Sequence, residues 1–198
     1  GSTDTTPLLI DTLKGKGANR ISSLHLQQNQ GKAEAVRQGV LQAVKSPCHY
    51  IGYWDADLAT PLSAVPQFLD CFQKNHNRKI ICGSRVKRMG ARIERHWYRH
   101  YPGRVIATII SMIIGLPFYD TQCGAKLMDR ALAEQIFSKP LISPWLFDVE
   151  LVARIVEMFG SREAEKTIFE LPLDNWTDIG ESKIPLNYLP KVPYELMK

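Results

Sequence analysis

The period of apolar and polar positions changes repeatedly along the 198-residue chain. Thr5-Thr6-Pro7 reads as a helix start with proline in the first turn, and the apolar residues that follow stop at Gly15 and Gly17. Ile21 to Leu26 alternates as a strand does. A polar turn at Gln27 to Gly31 leads into a predicted helix from Lys32 to about Val44, with Ala35, Val36, Val40 and Ala43 on one side. Tyr50 to Trp54 is a buried-type strand that runs directly into Asp55-Ala56-Asp57, after which Thr60-Pro61 caps a helix reaching about Gln73. Lys79 to Ser84 is predicted as a strand, Glu94 to Ile114 as a long helix, Phe147 to Met158 as a helix and Thr167 to Leu171 as a last strand.

Strands separated by helices of this length imply right-handed crossovers, hence an α/β fold with a mostly parallel sheet and helices on both faces. Ligands in such folds bind outside the carboxyl ends of strands, which singles out the loops after Leu26, Trp54 and Ser84. With 44% hydrophobic residues and no internal repeat or low-complexity linker, residues 1–198 are expected to share one core. The longest apolar stretch, Val105 to Phe118, is broken by Thr108, Ser111, Gly115 and Pro117 and falls short of the ~20 residues needed to span a bilayer. The N-terminus is polar, without the apolar core of a signal peptide, so the chain is expected to be soluble or peripheral. The four cysteines, Cys48, Cys71, Cys82 and Cys123, are far apart and form no Cys-x-x-Cys pair; reduced thiols of a cytoplasmic protein are expected rather than a zinc site or a disulfide framework.

A net charge of +5 is too mild to argue for nucleic acid, but its distribution is informative. From Arg85 to Arg104 stand seven basic residues, Arg85, Lys87, Arg88, Arg92, Arg95, Arg99 and Arg104, against the single acid Glu94. Such local basicity fits a site that meets phosphate or an anionic membrane, although charge runs are usually only solvated helix faces. The apolar residues that follow have helical spacing, and most of them are expected in the core. Asp55 and Asp57, two residues apart at a strand end, can both lean toward one hard divalent cation, Mg²⁺ or Mn²⁺, which takes oxygen ligands and bridges carboxylate to phosphate. Asp-x-Asp also occurs in ordinary solvated loops, so its weight comes from the apolar strand before it and the helix cap after it. His96 and His100 lack the glutamate of a zinc-protease motif, and Asn29-Gln30-Gly31-Lys32 lacks the first glycine and following hydroxyl of a P-loop. Asp148 and Glu150 open a helix, where its dipole favours negative charge, and a capping role for Asp148 competes with a substrate role.

Read in order, Gly1-Ser2-Thr3-Asp4, Asn29-Gln30-Gly31-Lys32 with Ala35, Arg37 and Gly39, and Asp55-Ala56-Asp57 resemble the signature of family 2 glycosyltransferases. Gly83-Ser84-Arg85, the run from Asp120 to Lys126, the run from Trp145 to Leu151, and Trp176 followed by Gly180-Glu181-Ser182-Lys183 resemble their dolichyl-phosphate (polyprenyl-phosphate) glucosyltransferase branch. The similarity runs from residue 1 to about Lys183. It implies a GT-A fold, a Rossmann-like nucleotide-diphospho-sugar transferase architecture, and an inverting transfer of a hexose, glucose from UDP-glucose, to a polyprenyl phosphate.

Carried onto this chain, the resemblance implies that Asp55 and Asp57 hold the nucleotide diphosphate through Mg²⁺ or Mn²⁺, with Asp4 bordering the nucleotide and Lys32 near the donor. Arg85, Arg99 and Arg104 would face the acceptor phosphate, Asp120 and Gln122 would lie by the transferred sugar, and Lys183 would belong to a loop closing over the diphosphate. A phosphate acceptor is already anionic, so Asp120 is expected to orient more than to remove a proton. Residues 85–118 would form an acceptor- and membrane-facing segment at the cytoplasmic side of the plasma or endoplasmic-reticulum membrane. Two departures stand out. The family places an apolar strand ahead of Gly-Ser-Thr-Asp and nothing precedes Gly1 here, so the domain is expected to be N-terminally truncated and without its first strand. Trp176-Thr177-Asp178-Ile179 stands where the mannosyltransferase branch has an arginine, which favours glucose. The rivals are transfer of mannose, transfer to a polysaccharide, and an inert nucleotide-sugar-fold binding module; a nucleic-acid binder ranks below them for want of a recognised motif.

Overall fold

The computed structural model describes residues 1–16, 20–94 and 107–179. Along the chain run α1 (Thr6–Lys16), α2 (Gly31–Val44), β1 (Tyr50–Trp54), a 3₁₀ turn (Leu62–Ala64) continuing into α3 (Val65–Lys74), β2 (Ile80–Ser84) and β3 (Arg92–Glu94). Residues 107–114 are helical (α4). They are followed by β4 (Ala125–Asp129), α5 (Arg130–Phe137), α6 (Phe147–Phe159), α7 (Ser161–Thr167), β5 (Ile168–Pro172) and β6 (Asn175–Thr177).

The main sheet has four strands in the order β1-β4-β2-β5, and β3 and β6 pair separately. β2 and β5 are parallel, whereas β4 is antiparallel to both β1 and β2. Strands β1, β2 and β5 therefore share one direction, as a mostly parallel sheet requires, and the unanticipated β4 makes the sheet mixed. Its direction matters for the site. The residue pairs Trp54 with Ala125 and Cys82 with Lys126 show that β4 begins where β1 and β2 end. The segment entering β4 is thus delivered to the carboxyl ends of its neighbours.

Side chains alternate across the sheet, as strand geometry demands. Ile51, Ile80, Cys82 and Met128 pack under α2, α5, α6 and α7 on one face. Ile81, Ala125 and Leu127 meet Phe68, Cys71 and Phe72 of α3 together with Ile93 and Trp176 on the other. Both faces are covered by apolar side chains, the expected source of most of the folding free energy. Asp129 caps α5 by accepting the Leu132 N–H at 2.7 Å.

Several expected elements stand: α2, β1, β2, α6 and β5 lie within a residue or two of the predicted bounds. Others do not. Ile21 to Leu26 joins no sheet among the described residues, and Ile21 and Leu24 are exposed; alternation makes a strand only where a neighbour completes its hydrogen-bond ladder. On α2 it is Ala33, not Ala35, that is buried, because the packing against α5 sets which stripe turns inward. The long helix expected from Glu94 does not start there: Glu94 ends β3, whose ladder with β6 overrides local helix pattern. Residues 95–106 lie outside the described residues, and of the apolar stretch after them Ile110 is buried while Ile109, Met112 and Ile113 are exposed. Leu116 and Phe118 are buried as well and Ile114 packs against the core, so much of the stretch is core, as expected, while Ile109, Met112 and Ile113 make an outward face.

Candidate active site at the strand ends

Asp55 leaves the end of β1 with its backbone N–H bonded to the Gly124 carbonyl at 2.7 Å. Trp54, immediately before it, is pinned on Phe68 with ring centroids 5.0 Å apart, which anchors the strand end to α3. The Asp55 carboxylate lies so close over Gly124 that a Cβ there would come within 1.9 Å of Oδ2. Lys32, on the first turn of α2, reaches Asp55 Oδ1 at 2.6 Å. The turn that aims Lys32 has Gly31 at φ +84°, with the Gly31 N–H donating to Asn29 Oδ1 at 3.0 Å. Asp57 turns back to accept the Ala59 N–H at 3.0 Å, and Leu58 between them has φ +56°, a strained left-handed conformation for a leucine.

Beyond Gly124 lies the second half of the site. Asp120 receives Arg85 Nε at 2.6 Å and Nη2 at 2.7 Å, a bidentate fork, plus the Arg85 backbone N–H at 3.0 Å. Burial raises the Asp120 carboxyl, but Arg85 outweighs it and holds the group below the usual carboxylate range. The Tyr119 and Asp120 N–H groups donate to Glu170 of β5 at 2.7 and 2.8 Å, so the turn is gripped from two strands. Burial in turn raises the Glu170 carboxyl. The Arg85 guanidinium stacks 5.3 Å above the Trp176 ring of β6. Gln122 Nε2 is a buried donor without a partner among the described residues. Burial pushes the Cys82 thiol up to about 12 and the Cys123 thiol up to about 11, which keeps both protonated.

The structure thus gathers Lys32, Asp55, Asp57, Arg85, Asp120 and Gln122 along the ends of β1 and β2 and the entry to β4. The Asp4 carboxylate accepts the N–H of Thr6, the first residue of α1, at 3.0 Å, while Gly1 is pressed against the Gln28 backbone, four residues before Lys32. Arg85 bonds a carboxylate through Nε and Nη2, and among the described residues its Nη1 edge is the one left to meet an anion. Arg99, Arg104 and Lys183 lie outside the described residues, as do His96 and His100. Asp148 is neither a cap nor an exposed contact; it is buried against Lys126 and Tyr53. Sequence reasoning missed Gly124 as a contact of Asp55, gave Lys126 and Trp176 only as motif members and Tyr53 only as part of a strand without a site role, and did not single out Glu170. The available signals were a lysine and a glutamate interrupting the apolar runs 125–128 and 168–172.

Oxygen-only donors at Asp55 and Asp57 suit a hard divalent cation, and the glycine floor at 124 leaves room for the Asp55 carboxylate. Among the described residues no cluster of three or more acidic, histidine or cysteine side chains forms, so remaining ligands would come from a bound diphosphate and water. Gly124→Ala is a direct test of this floor. The clash is with the far end of a side chain, so the carboxylate swings away and the fold survives. A roughly tenfold or greater loss of Mn²⁺-dependent nucleotide binding is expected in calorimetry, with the thermal midpoint nearly unchanged.

An acidic pair and a buried arginine–aspartate fork stand at the strand ends of an α/β sheet, and that sheet has the GT-A architecture of its solved structural neighbours. Residues 1–137 match glycosyl transferase family 2, and the chain belongs to that family. It is similar to the dolichyl-phosphate beta-glucosyltransferases of Dictyostelium discoideum, at 30% identity over 189 residues covering 93% of this chain and 55% of that protein. The human dolichyl-phosphate beta-glucosyltransferase is 30% identical over 190 residues, 93% of this chain and 56% of that protein. The chain therefore spans somewhat more than half the length of these relatives. Among solved structures it is similar to glucosyl-3-phosphoglycerate synthase from Mycobacterium tuberculosis in complex with Mn²⁺, UDP-glucose and glycerol 3-phosphate, with a TM-score of 0.61 at 18% identity, covering all of this chain and 64% of that one.

Proposed function

We propose that the protein transfers glucose from UDP-glucose to a polyprenyl phosphate with inversion at the anomeric carbon. The observation that carries this reading is the joining, through Gly124, of the Lys32–Asp55 pair to the turn bearing Asp120 and Gln122. Asp55 and Asp57 would hold Mg²⁺ or Mn²⁺, which when bound neutralises charge on the departing nucleoside diphosphate. Lys32 supplies a second positive charge on the donor side, at the place where negative charge develops. Gln122 Nε2, buried and unsatisfied, is suited to a sugar hydroxyl. Arg85 offers its free Nη1 edge to the acceptor phosphate while Asp120 keeps the guanidinium in plane. Asp120, held ionised by that pairing, acts as an orienting group rather than as a base of raised pKa.

The names carried by the dolichyl-phosphate relatives support the acceptor class, and the Mn²⁺ and UDP-glucose bound to the structural neighbour support the donor class. Residues 85–118 would face acceptor and membrane, with the exposed Ile109, Met112 and Ile113 of α4 entering the interface. No helix among the described residues is long and apolar enough to cross a membrane. In this reading the protein works peripherally at a cytoplasmic membrane face. Full-length protein incubated with labelled UDP-glucose, Mn²⁺ and dolichyl or undecaprenyl phosphate is expected to yield labelled lipid. Label transferred from GDP-mannose instead, or no donor consumed with either lipid phosphate, would overturn the assignment.

A further inference from the structure

Lys126 is fully buried, an arrangement that is costly unless every ammonium hydrogen is used. Its Nζ donates to the Thr121 carbonyl at 3.0 Å, the Cys123 carbonyl at 2.8 Å and Asp148 Oδ1 at 2.5 Å, which accounts for all three. The same Asp148 oxygen accepts from the Tyr53 hydroxyl at 2.6 Å. Tyr53 is the direct cross-strand partner of Lys126, two residues before Asp55. One carboxylate on α6 therefore ties together β1, β4 and the turn between Asp120 and Gly124.

The two carbonyls that Lys126 holds flank Gln122. Fixing them sets the direction of the side chain between them and the height of Gly124, which floors Asp55. Thr121 Oγ1 is buried without a partner among the described residues, and within them the turn is held through its backbone and not through that hydroxyl. Any buried ammonium needs acceptors for its remaining hydrogens, and here those acceptors are the two carbonyls that bracket Gln122; buried ion pairs are in any case poor stabilisers compared with apolar side chains of similar size.

We infer that Lys126, charge-balanced by Asp148, is a positioning residue that aims Gln122 at the transferred sugar by clamping the carbonyls on either side of it. The inference rests on the glucosyl-transfer reading above. Its test is a double-mutant cycle in the full-length protein, crossing Lys126→Met/Asp148→Asn with Gln122→Ala. The neutral pair removes both charges and leaves an oxygen at position 148 for the Tyr53 hydroxyl. Expected is a fall in kcat on the order of 10²-fold with the donor KM changed far less. Gln122→Ala added to that background should then cost little more, because a side chain already misaimed has little left to lose.

Full additivity of the two changes in kcat, or an unchanged kcat in a folded Lys126→Met/Asp148→Asn protein, overturns the inference. If that protein does not fold, the same cycle is run on Lys126→Gln/Asp148→Asn, which keeps an N–H for one carbonyl; additivity there overturns it equally. Failure of the parent protein to transfer glucose to any lipid phosphate would instead defeat the functional reading itself, so the two failures are distinguishable.

Discussion

Asp55→Ala is expected to lower glucosyl transfer by on the order of 10²–10³-fold while leaving the protein folded. The carboxylate stands at the one point where β1, the first turn of α2 and the Gly124 turn converge, and it is the group best placed to take a cation's charge. Its loss removes an interaction that strengthens as the diphosphate departs, so the effect falls on kcat as well as on donor affinity. Stability should hardly change. The Lys32–Asp55 pair is partly exposed, with side chains 43% and 32% accessible, and pairs of that kind contribute at most about 1 kcal/mol. Asp57→Ala should act in the same direction, with some added loss from the Ala59 N–H it leaves free. Initial rates across a Mn²⁺ titration, with melting curves alongside, measure both effects. Parent-like turnover in a folded Asp55→Ala protein would remove the basis of the functional reading.

Asp120→Ala should strike fold and activity together. Removing this carboxylate strands the buried Arg85 guanidinium and frees two donors and a backbone N–H, a loss of about 3–5 kcal/mol in folding free energy. Replacing both partners, as Asp120→Leu/Arg85→Met, should recover much of the stability and none of the transfer, which separates the two roles. The pairing also has a pH signature. Asp120 is held below its ordinary value in the folded protein, so its contribution is complete above the unfolded pKa of about 3.9. It is lost as pH falls through the lower, folded value. Urea melts should therefore show the gap between parent and Asp120→Asn narrowing below about pH 4 and constant near neutrality. A gap that widens on acidification would contradict the ion-pair geometry.

How much of this was legible beforehand depended on the range of the interaction. Tyr50 to Trp54, an apolar run ending in two aspartates, announced a strand and the pair of carboxylates at its end from adjacent residues. The helix from Lys32 followed from a turn and a 3.6-residue stripe, whereas the role of Lys32 beside a donor comes only from the family resemblance. Glu94 misled because β3 exists only through its ladder to Asn175–Thr177, some eighty residues later. Ile21 to Leu26 misled for the opposite reason, having the alternation of a strand and no ladder.

Arg85 and Asp120 each drew attention as separate contacts for substrate, one basic and one acidic. That they bond each other across 35 residues changes what both can do: the arginine keeps one edge, and the aspartate is locked as an anion. Gly124 read as part of a motif, but its purpose, an open floor beneath Asp55, is a matter of ångströms that no pattern encodes.

Local order alone therefore determined α2, α6, the strands β1, β2 and β5, and the acidic pair, because propensity, capping and burial period act within a few residues. The antiparallel insertion of β4, the inward turn of Lys126 toward Asp148, and the closure of Asp55 on Gly124 were decided only when distant segments met. Ladder bonds, buried charges and close backbone contacts are stable only in company, and the partners are chosen by the packed sheet.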